Sequence, residues 1–322
     1  MDKKSKTIGI ITPGGDASGI NACIRAVTRE AIYAGFDVYG IYYGYRGLIE
    51  GDIKKMTARS VGNIIQQGGT ILHSSRSDQI RTEKGLRKAA NQLKHHGIDH
   101  LVIIGGEGSL TAGHKLSEFG IKVIGIPASI DNDVFGTDET IGFDTAMDVA
   151  VEAIDKIRDT AKSFDRIFIV EVMGRKHGFL ALGIGVASGA EEILIPEVPF
   201  DFAALCKRLN SDQKKGKSSE IIVMAEGTGS ALELAKRIEK ATGVSTRASI
   251  LGYIQRGGAP SARSRILGTR SGSYAIGLIK KNISNKAVVF KGGHIRHISL
   301  VAIRRAKTID KKLYASLVRV SS

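Results

Sequence analysis

Cysteine is nearly missing from this chain: Cys23 and Cys206 are the only two among 322 residues. A disulfide framework is excluded, and a reducing, cytoplasmic setting is the expectation. Tryptophan is absent and aromatics make up only 6%, which leaves few rings for stacking on bases. Long apolar runs are also missing. The start, MDKKSKTIGIITPGG, has a basic head but only IGII before Thr12 and Pro13 interrupt it. That is too short for a signal peptide or a membrane span. Proline is scarce, five residues against 39 glycines, a balance that points to tight turns and close backbone approaches rather than to disorder. No zinc-ligand spacing, RNA-binding signature or low-complexity linker occurs.

Acidic residues are in deficit, 32 against 47 basic ones, for a formal charge of +15. The excess is uneven. Residues 281–322 hold ten Lys or Arg and one acid, Asp310, a net of +9. A basic tail can bind nucleic acid or a membrane surface. With Phe290 and Tyr314 far apart, a solvated face is the better expectation, with no membrane and no nucleic-acid partner. Against this background the segment ASIDNDVFGTDETIGFDTA (128–146) crowds together Asp131, Asp133, Asp138, Glu139 and Asp144. Carboxylates so close need a cation or a shared proton unless they are simply solvated turn residues.

The bulk composition, 42% hydrophobic and 25% charged, is that of a soluble globular enzyme. The length suits one large or two medium domains. Apolar runs at 7–12, 37–44, 100–106, 122–128, 166–172, 192–197 and 220–227 predict strands buried on both faces, as in a parallel sheet. Between them lie amphipathic stretches such as 141–162, with Val149, Ile154 and Ile157 on one side. The alternation predicts doubly wound α/β structure. A domain division is expected near residue 142, the alternative being a single large α/β domain.

Open α/β sheets bind ligands at the carboxyl ends of their strands. Three glycine-rich or acidic turns fall there: TPGGDASGIN (12–21), IGGEGSL (104–110) and the acidic segment. Glycines let a phosphate approach the main chain, and a following helix N-terminus offers N–H donors. No GxxxxGK[ST] occurs, nor a clean GxGxxG followed by a ribose-binding acid, so P-loop and dinucleotide-binding readings lose ground. Arg25 and Arg29 share a helix face. MGRKHG (173–178) and YIQRGG (253–258) set Arg beside Gly, a pattern suited to two-point phosphate recognition.

At these residues a resemblance emerges. GGDASGIN, GGTIL, IGGEGS, IDND, GTD, TIGFDTA, EVMGR, AEG, TR and QRGG, in this order, resemble the motifs of bacterial ATP-dependent 6-phosphofructokinases. The likeness runs from about residue 6 to about 280 and fades through the basic tail. It implies phosphoryl transfer from MgATP to the 1-hydroxyl of fructose 6-phosphate by a homotetramer. The implied fold is two doubly wound, mostly parallel-sheet, Rossmann-like domains. An ATP/Mg-binding domain would span 1–142 plus about 255–305, and a fructose-6-phosphate domain 143–254 plus about 306–322.

Carried over by position, the resemblance makes Asp131 the base, with Asp133, Arg175 and Ser129 assisting. Glu107 and Asp133 would hold Mg²⁺. Gly15, Tyr45, Arg76, Ser77, Gly106, Glu107, Gly108 and Ser109 would line the ATP site. The sugar phosphate falls to Ser129, Asp131, Met173, Gly174, Arg175, Glu226, Tyr253 and Arg256, with Arg166 and Arg247 reaching in from a neighbouring subunit. An effector site for ADP or phosphoenolpyruvate would use Arg25, Arg29, Arg158, Lys215, Lys217, Glu191 and Gly62. Arg59 would stand in there for an arginine missing at Ala58. The remaining acids, Asp138, Glu139 and Asp144, are expected to shape turns and cap the helix from 141.

Gly108 and Ala128 match the ATP-using rather than the pyrophosphate-using pattern. Departures touch the site: Pro13 for Ser, Glu107 for Asp, Ala128 for Gly, Ser129 for Thr, and Tyr253 for a histidine that contacts the sugar's 6-phosphate. A tyrosine offers one hydrogen bond and no positive charge. Two alternatives follow from these departures and the tail: a kinase for another phosphosugar such as tagatose 6-phosphate, or a weakly active regulatory or nucleic-acid-binding paralogue.

Overall fold

The computed structural model describes residues 6–321; the basic head at 1–5 and Ser322 lie outside the described residues. The chain opens with β1 (Thr7–Ile11), α1 (Ile20–Tyr33), β2 (Asp37–Ile41), α2 (Gly44–Glu50), β3 (Ile53–Lys55), α3 (Glu83–His95), β4 (His100–Gly105), α4 (Glu107–Ser117) and β5 (Lys122–Pro127). It continues with α5 (Phe143–Ser163), β6 (Ile167–Val172), α6 (Phe179–Ser188), β7 (Glu192–Leu194), α7 (Phe202–Lys214), β8 (Glu220–Ala225), α8 (Ala231–Thr242) and β9 (Thr246–Ile250). The last elements are α9 (Ala262–Lys280), β10 (Lys286–Lys291), β11 (His294–Ser299) and α10 (Lys311–Ser321). Two compact units result: the chain up to Thr145 with Arg256–Lys307, and Ala146–Gln255 with Thr308–Ser322.

The first unit carries a seven-stranded sheet in the order β11-β10-β5-β4-β1-β2-β3. The five central strands run parallel, and the edge strands β3 and β11 pair antiparallel. β4 is buried along its whole length, because helices cover both faces of the sheet. From β1 the chain moves to β2 on one side, then returns with β4 on the other. That reversal creates a switch point between β1 and β4, the place where open sheets leave a crevice. The core beneath includes Ile11, Ile41, Leu48, Leu101, Ile103 and Leu110.

The second unit has a four-stranded parallel sheet, order β7-β8-β6-β9. Its core gathers Ile169, Leu194, Leu209, Ile222, Met224 and Ile238. Helix starts differ in an informative way. Side chains cap α3 (Thr82), α7 (Asp201), α8 (Ser230) and α9 (Ser261). By contrast α1, α4 and α6 start at Gly19, Gly106 and Gly178 with no side-chain cap. These three follow the turns singled out in the sequence. With no side-chain cap, α1 and α4 leave first-turn amides to an anion, whereas at α6 the Gly178 N–H already donates to the Glu197 carboxylate at 3.0 Å.

Candidate active site

The first glycine turn follows β1. Gly14 has φ +97°, and a Cβ there would stand 2.8 Å from the Ser109 hydroxyl, so only glycine fits. The turn is tied down on several sides. Ser109 Oγ donates to the Pro13 carbonyl at 2.8 Å and Ser74 Oγ to the Gly14 carbonyl. Asn21 Nδ2 donates to the carbonyls of Gln67 and Gly68, while its Oδ1 accepts from Ile71 N–H. Ser18 Oγ donates to Gly258 O at 2.8 Å. Arg256 pairs with Asp16 at 3.6 Å and lies against Gly15, where a Cβ would be 3.4 Å from its Nη1. Arg76 and Ser77 lie two and three residues after Ser74, which clasps this turn, while Ser75 Oγ donates to the Tyr43 carbonyl at 2.7 Å. At its rim Tyr43 and His73, both at left-handed φ, stack with ring centroids 5.0 Å apart.

The second turn follows β4 and opens α4. Tyr45 is 4% exposed, and its hydroxyl donates to the Ser109 carbonyl at 2.6 Å. Any effect of Tyr45 on a ligand therefore runs through Ser109. Burial pushes its phenol above the ordinary tyrosine range. Nothing lies within 4 Å of a Cβ built on Gly108, so the space expected beside that glycine is open.

The third turn follows β5. A Cβ on Gly106 would be 3.9 Å from Ser129 Cβ, which brings the second and third turns to one end of the sheet. Asp131 is 3% exposed, and its N–H donates to Ser129 Oγ at 3.2 Å. Asn132 takes φ 51°, an uncommon conformation for a residue with a side chain. Its amide holds the turn closed: Nδ2 donates to Asp138 O at 3.0 Å, and Oδ1 accepts from Thr140 N–H at 3.1 Å. Thr140 Oγ1 donates to the Ser129 carbonyl.

The other acids of the segment take structural partners. Asp138 Oδ2 accepts from Gly292 N–H at 2.8 Å, the turn role expected of it. Glu139 instead pairs with Arg263 at 2.6 Å, and Asp144 accepts from the Ser261 hydroxyl at 2.6 Å. Both bind the start of α9, and Asp144 also lies in the first turn of α5, the helix-start position expected of it, whereas Glu139 does not. A second correction concerns the basic tail. Lys307 does not lie on a solvated face: its Nζ donates to the Asn132 carbonyl at 2.8 Å. Burial lowers its pKa to about 8, opposed by the carboxylates of Asp138, Asp133 and Glu139.

Two carboxylates here are open to a metal. Glu107 is exposed in the first turn of α4, and its Oε1 accepts from Thr111 Oγ1 at 2.9 Å. Asp133 is half-buried, with Oδ1 3.4 Å from Ser129 Oγ. Among the described residues no group of three or more His, Cys, Asp or Glu could form a metal cage. A pair of hard oxygen donors fits Mg²⁺, which takes one or two carboxylates and completes its shell with water and substrate phosphate.

In the second unit, the turn after β6 packs on the turn after β8. Met173 N–H donates to Oε1 of the buried Gln255 at 2.9 Å, and Arg175 N–H to Glu226 Oε1 at 2.7 Å. Arg175 holds φ 54°, and a Cβ on Gly227 would meet the Arg175 carbonyl at 2.2 Å. Tyr253 is 80% exposed. Arg247 lies 3.4 Å from Glu239, and Arg166 sits 4.6 Å over the Phe164 ring. Glu191 gathers Arg158 at 3.4 Å and Lys217 at 3.5 Å, whereas Lys215 turns to Asp212. Arg25 and Arg29 line a cleft of the first unit with Tyr33, Arg270, Tyr274 and His294. Arg59 and Gly62 share a separate turn, joined by Gly62 N–H to Arg59 O.

Sequence reasoning missed Asn21, Ser74, Asn132, Gln255 and Lys307. Asn21, Ser74, Gln255 and Lys307 bond backbone far away in sequence, which leaves no local signal, whereas Asn132, at a turn, bonds nearby backbone and left a trace.

Comparison with known proteins agrees with this geometry. Residues 7–279 match the phosphofructokinase family model. The chain is 48% identical over 310 residues to an ATP-dependent 6-phosphofructokinase of Halalkalibacterium halodurans, covering 96% of this chain and 97% of that one. It is 50% identical over 283 residues to the enzyme of the same name from Natranaerobius thermophilus, covering 88% and 89%. Among solved structures it is similar to the phosphofructokinase of Pichia pastoris, with a TM-score of 0.89 at 33% identity. That match covers 100% of this chain and 37% of the longer protein.

Proposed function

The chain belongs to the phosphofructokinase family, and from that premise we propose that it transfers the γ-phosphoryl group of ATP to the 1-hydroxyl of fructose 6-phosphate. The observation that carries this reading is the convergence of three turns at the carboxyl ends of β1, β4 and β5. Two offer glycines and uncapped helix starts to phosphate, and the third presents the buried carboxylate of Asp131. The bond made joins the sugar's O1 to the γ-phosphorus, and the bond broken links that phosphorus to ADP. Asp131 accepts the hydroxyl proton as O1 attacks.

Glu107 and Asp133 are the side chains suited to hold magnesium, which when bound neutralises charge on the phosphates. Arg175, fixed at its backbone by Glu226, and Tyr253 grip the sugar phosphate. Arg256, which sits at the first glycine turn, adds a cation there. The names of the relatives support ATP as donor, and the open space at Gly108 agrees. No observation favours tagatose 6-phosphate or a non-catalytic role over this reading. Assembly as a homotetramer, and a response to ADP or phosphoenolpyruvate through Arg25, Arg29, Arg158, Glu191 and Lys217, belong to the same proposal. Among the described residues no helix is long and apolar enough to cross a membrane.

The test is a coupled assay for fructose 1,6-bisphosphate with purified protein, fructose 6-phosphate and Mg²⁺. Product is expected with ATP and not with pyrophosphate. Product with pyrophosphate but not with ATP, or no product with either donor, contradicts the proposal.

A further inference from the structure

The basic tail was the one conspicuous sequence feature left without a task, and one of its lysines reaches the transfer site. We propose that Lys307 is a positioning residue for phosphoryl transfer: it fixes the peptide between Asn132 and Asp133, and with it the aim of Asp131 and Asp133. The inference rests on the kinase reading above, with Asp131 as the base.

Lys307 Nζ is 2.8 Å from the Asn132 carbonyl oxygen and 3.5 Å from that of Asp138. The Asn132 carbonyl belongs to the peptide whose N–H is that of Asp133, so holding the oxygen sets the plane from which Asp133 projects. Asn132 sits at φ 51° with Asp131 immediately before it. Asparagine tolerates this left-handed region better than most side chains, and here the surroundings hold it in place. Three contacts do so: the Asn132 side chain to Asp138 O, Thr140 N–H to Asn132 Oδ1, and Lys307 to the main chain between them. Asp138 O accepts from both Asn132 and Lys307, which joins the brace into one network. Lys307 comes from 175 residues away, so the brace depends on the tertiary fold. An ammonium brings several donors to adjacent carbonyls at once. It also places a cation among Asp133, Asp138 and Glu139, which relieves the crowded acidic segment. The nucleotide and the sugar phosphate are gripped by other residues, so loosening this turn should slow transfer and leave binding intact.

The experiment compares kcat, both KM values and Tm for wild type, Lys307→Met and Lys307→Arg, with Asp131→Asn as the baseline. Misplacement of a reacting group by ~1 Å costs up to ~100-fold, so Lys307→Met should lower kcat by ~10–100-fold. Each KM should stay within about threefold. Lys307→Arg, which keeps cationic donors, should recover most of kcat. If Lys307→Met does not fold, Lys307→Gln is read in its place, with the same loss in kcat and unchanged KM expected. A wild-type kcat in the Met or Gln variant overturns the inference. So does a fall of kcat and Tm in step for both Met and Arg, the signature of a merely structural role. Wild-type protein no more active than Asp131→Asn sinks the kinase reading and this inference together, whereas an active wild type with an unaffected Lys307→Met sinks only the inference.

Discussion

Tyr253, proposed to grip the sugar phosphate in place of the histidine that the resemblance leads one to expect, has a largely exposed ring. A protonated imidazole would give a charge-assisted hydrogen bond in place of a neutral one. Tyr253→His is therefore expected to lower KM for fructose 6-phosphate by ~3–10-fold with kcat little changed, measured by steady-state kinetics. His100 governs a different property. It is 1% exposed at the start of β4, and neither ring nitrogen has a hydrogen-bond partner. Burial first, then the charges of Lys122 and Lys6, push its pKa to about 4. The unfolded chain takes up this proton near pH 6.5 and the folded one only near pH 4, so stability is lost as pH falls between those values. From pH 7 to pH 4.5 wild type should lose about 2–3 kcal/mol more than His100→Phe in urea titrations. Equal losses would contradict the account. Residues whose task is set by their own turn were legible in the sequence, as with Gly14, Gly15 and Asp131. Lys307 and Gln255 were not, because a polar side chain does not announce which distant carbonyl or amide it will meet.

At the scale of elements, α9 depends on Ser261. Its hydroxyl accepts from Ser264 N–H at 3.1 Å and donates to Asp144 at 2.6 Å, and its N–H donates to Thr145 Oγ1 at 3.0 Å. Ser261→Ala removes the cap and leaves Asp144 without this donor, for an expected loss of ~1–2 kcal/mol by thermal or urea unfolding. The strands β1, β4, β5, β6 and β8 were readable as continuous apolar runs, because covered strands need apolar side chains on both faces. β3 (IKK), β9 (TRASI) and β11 (HIRHIS) are edge strands with polar residues, and their sequences resemble solvated loops. β10 was hidden for another reason: Lys286 and Lys291 flank its short apolar middle, Ala287–Phe290, inside a stretch that reads as a charged tail.

At the scale of the whole molecule, the account expects a homotetramer, with a mass by light scattering four times the 34.4 kDa of one chain. Arg247 is proposed to act on a neighbouring subunit's sugar phosphate, so Arg247→Ala should raise KM for fructose 6-phosphate at least ~10-fold and leave KM for ATP unchanged. Equal damage to both would count against that role. The measurement that bears most directly on the central claim is kcat for Asp131→Asn, taken with calorimetric binding of ATP and fructose 6-phosphate. If Asp131 takes the proton from the attacking hydroxyl, kcat falls by ~10²–10⁴ while both affinities stay within about threefold of wild type. Undiminished turnover would place the base elsewhere and contradict the account.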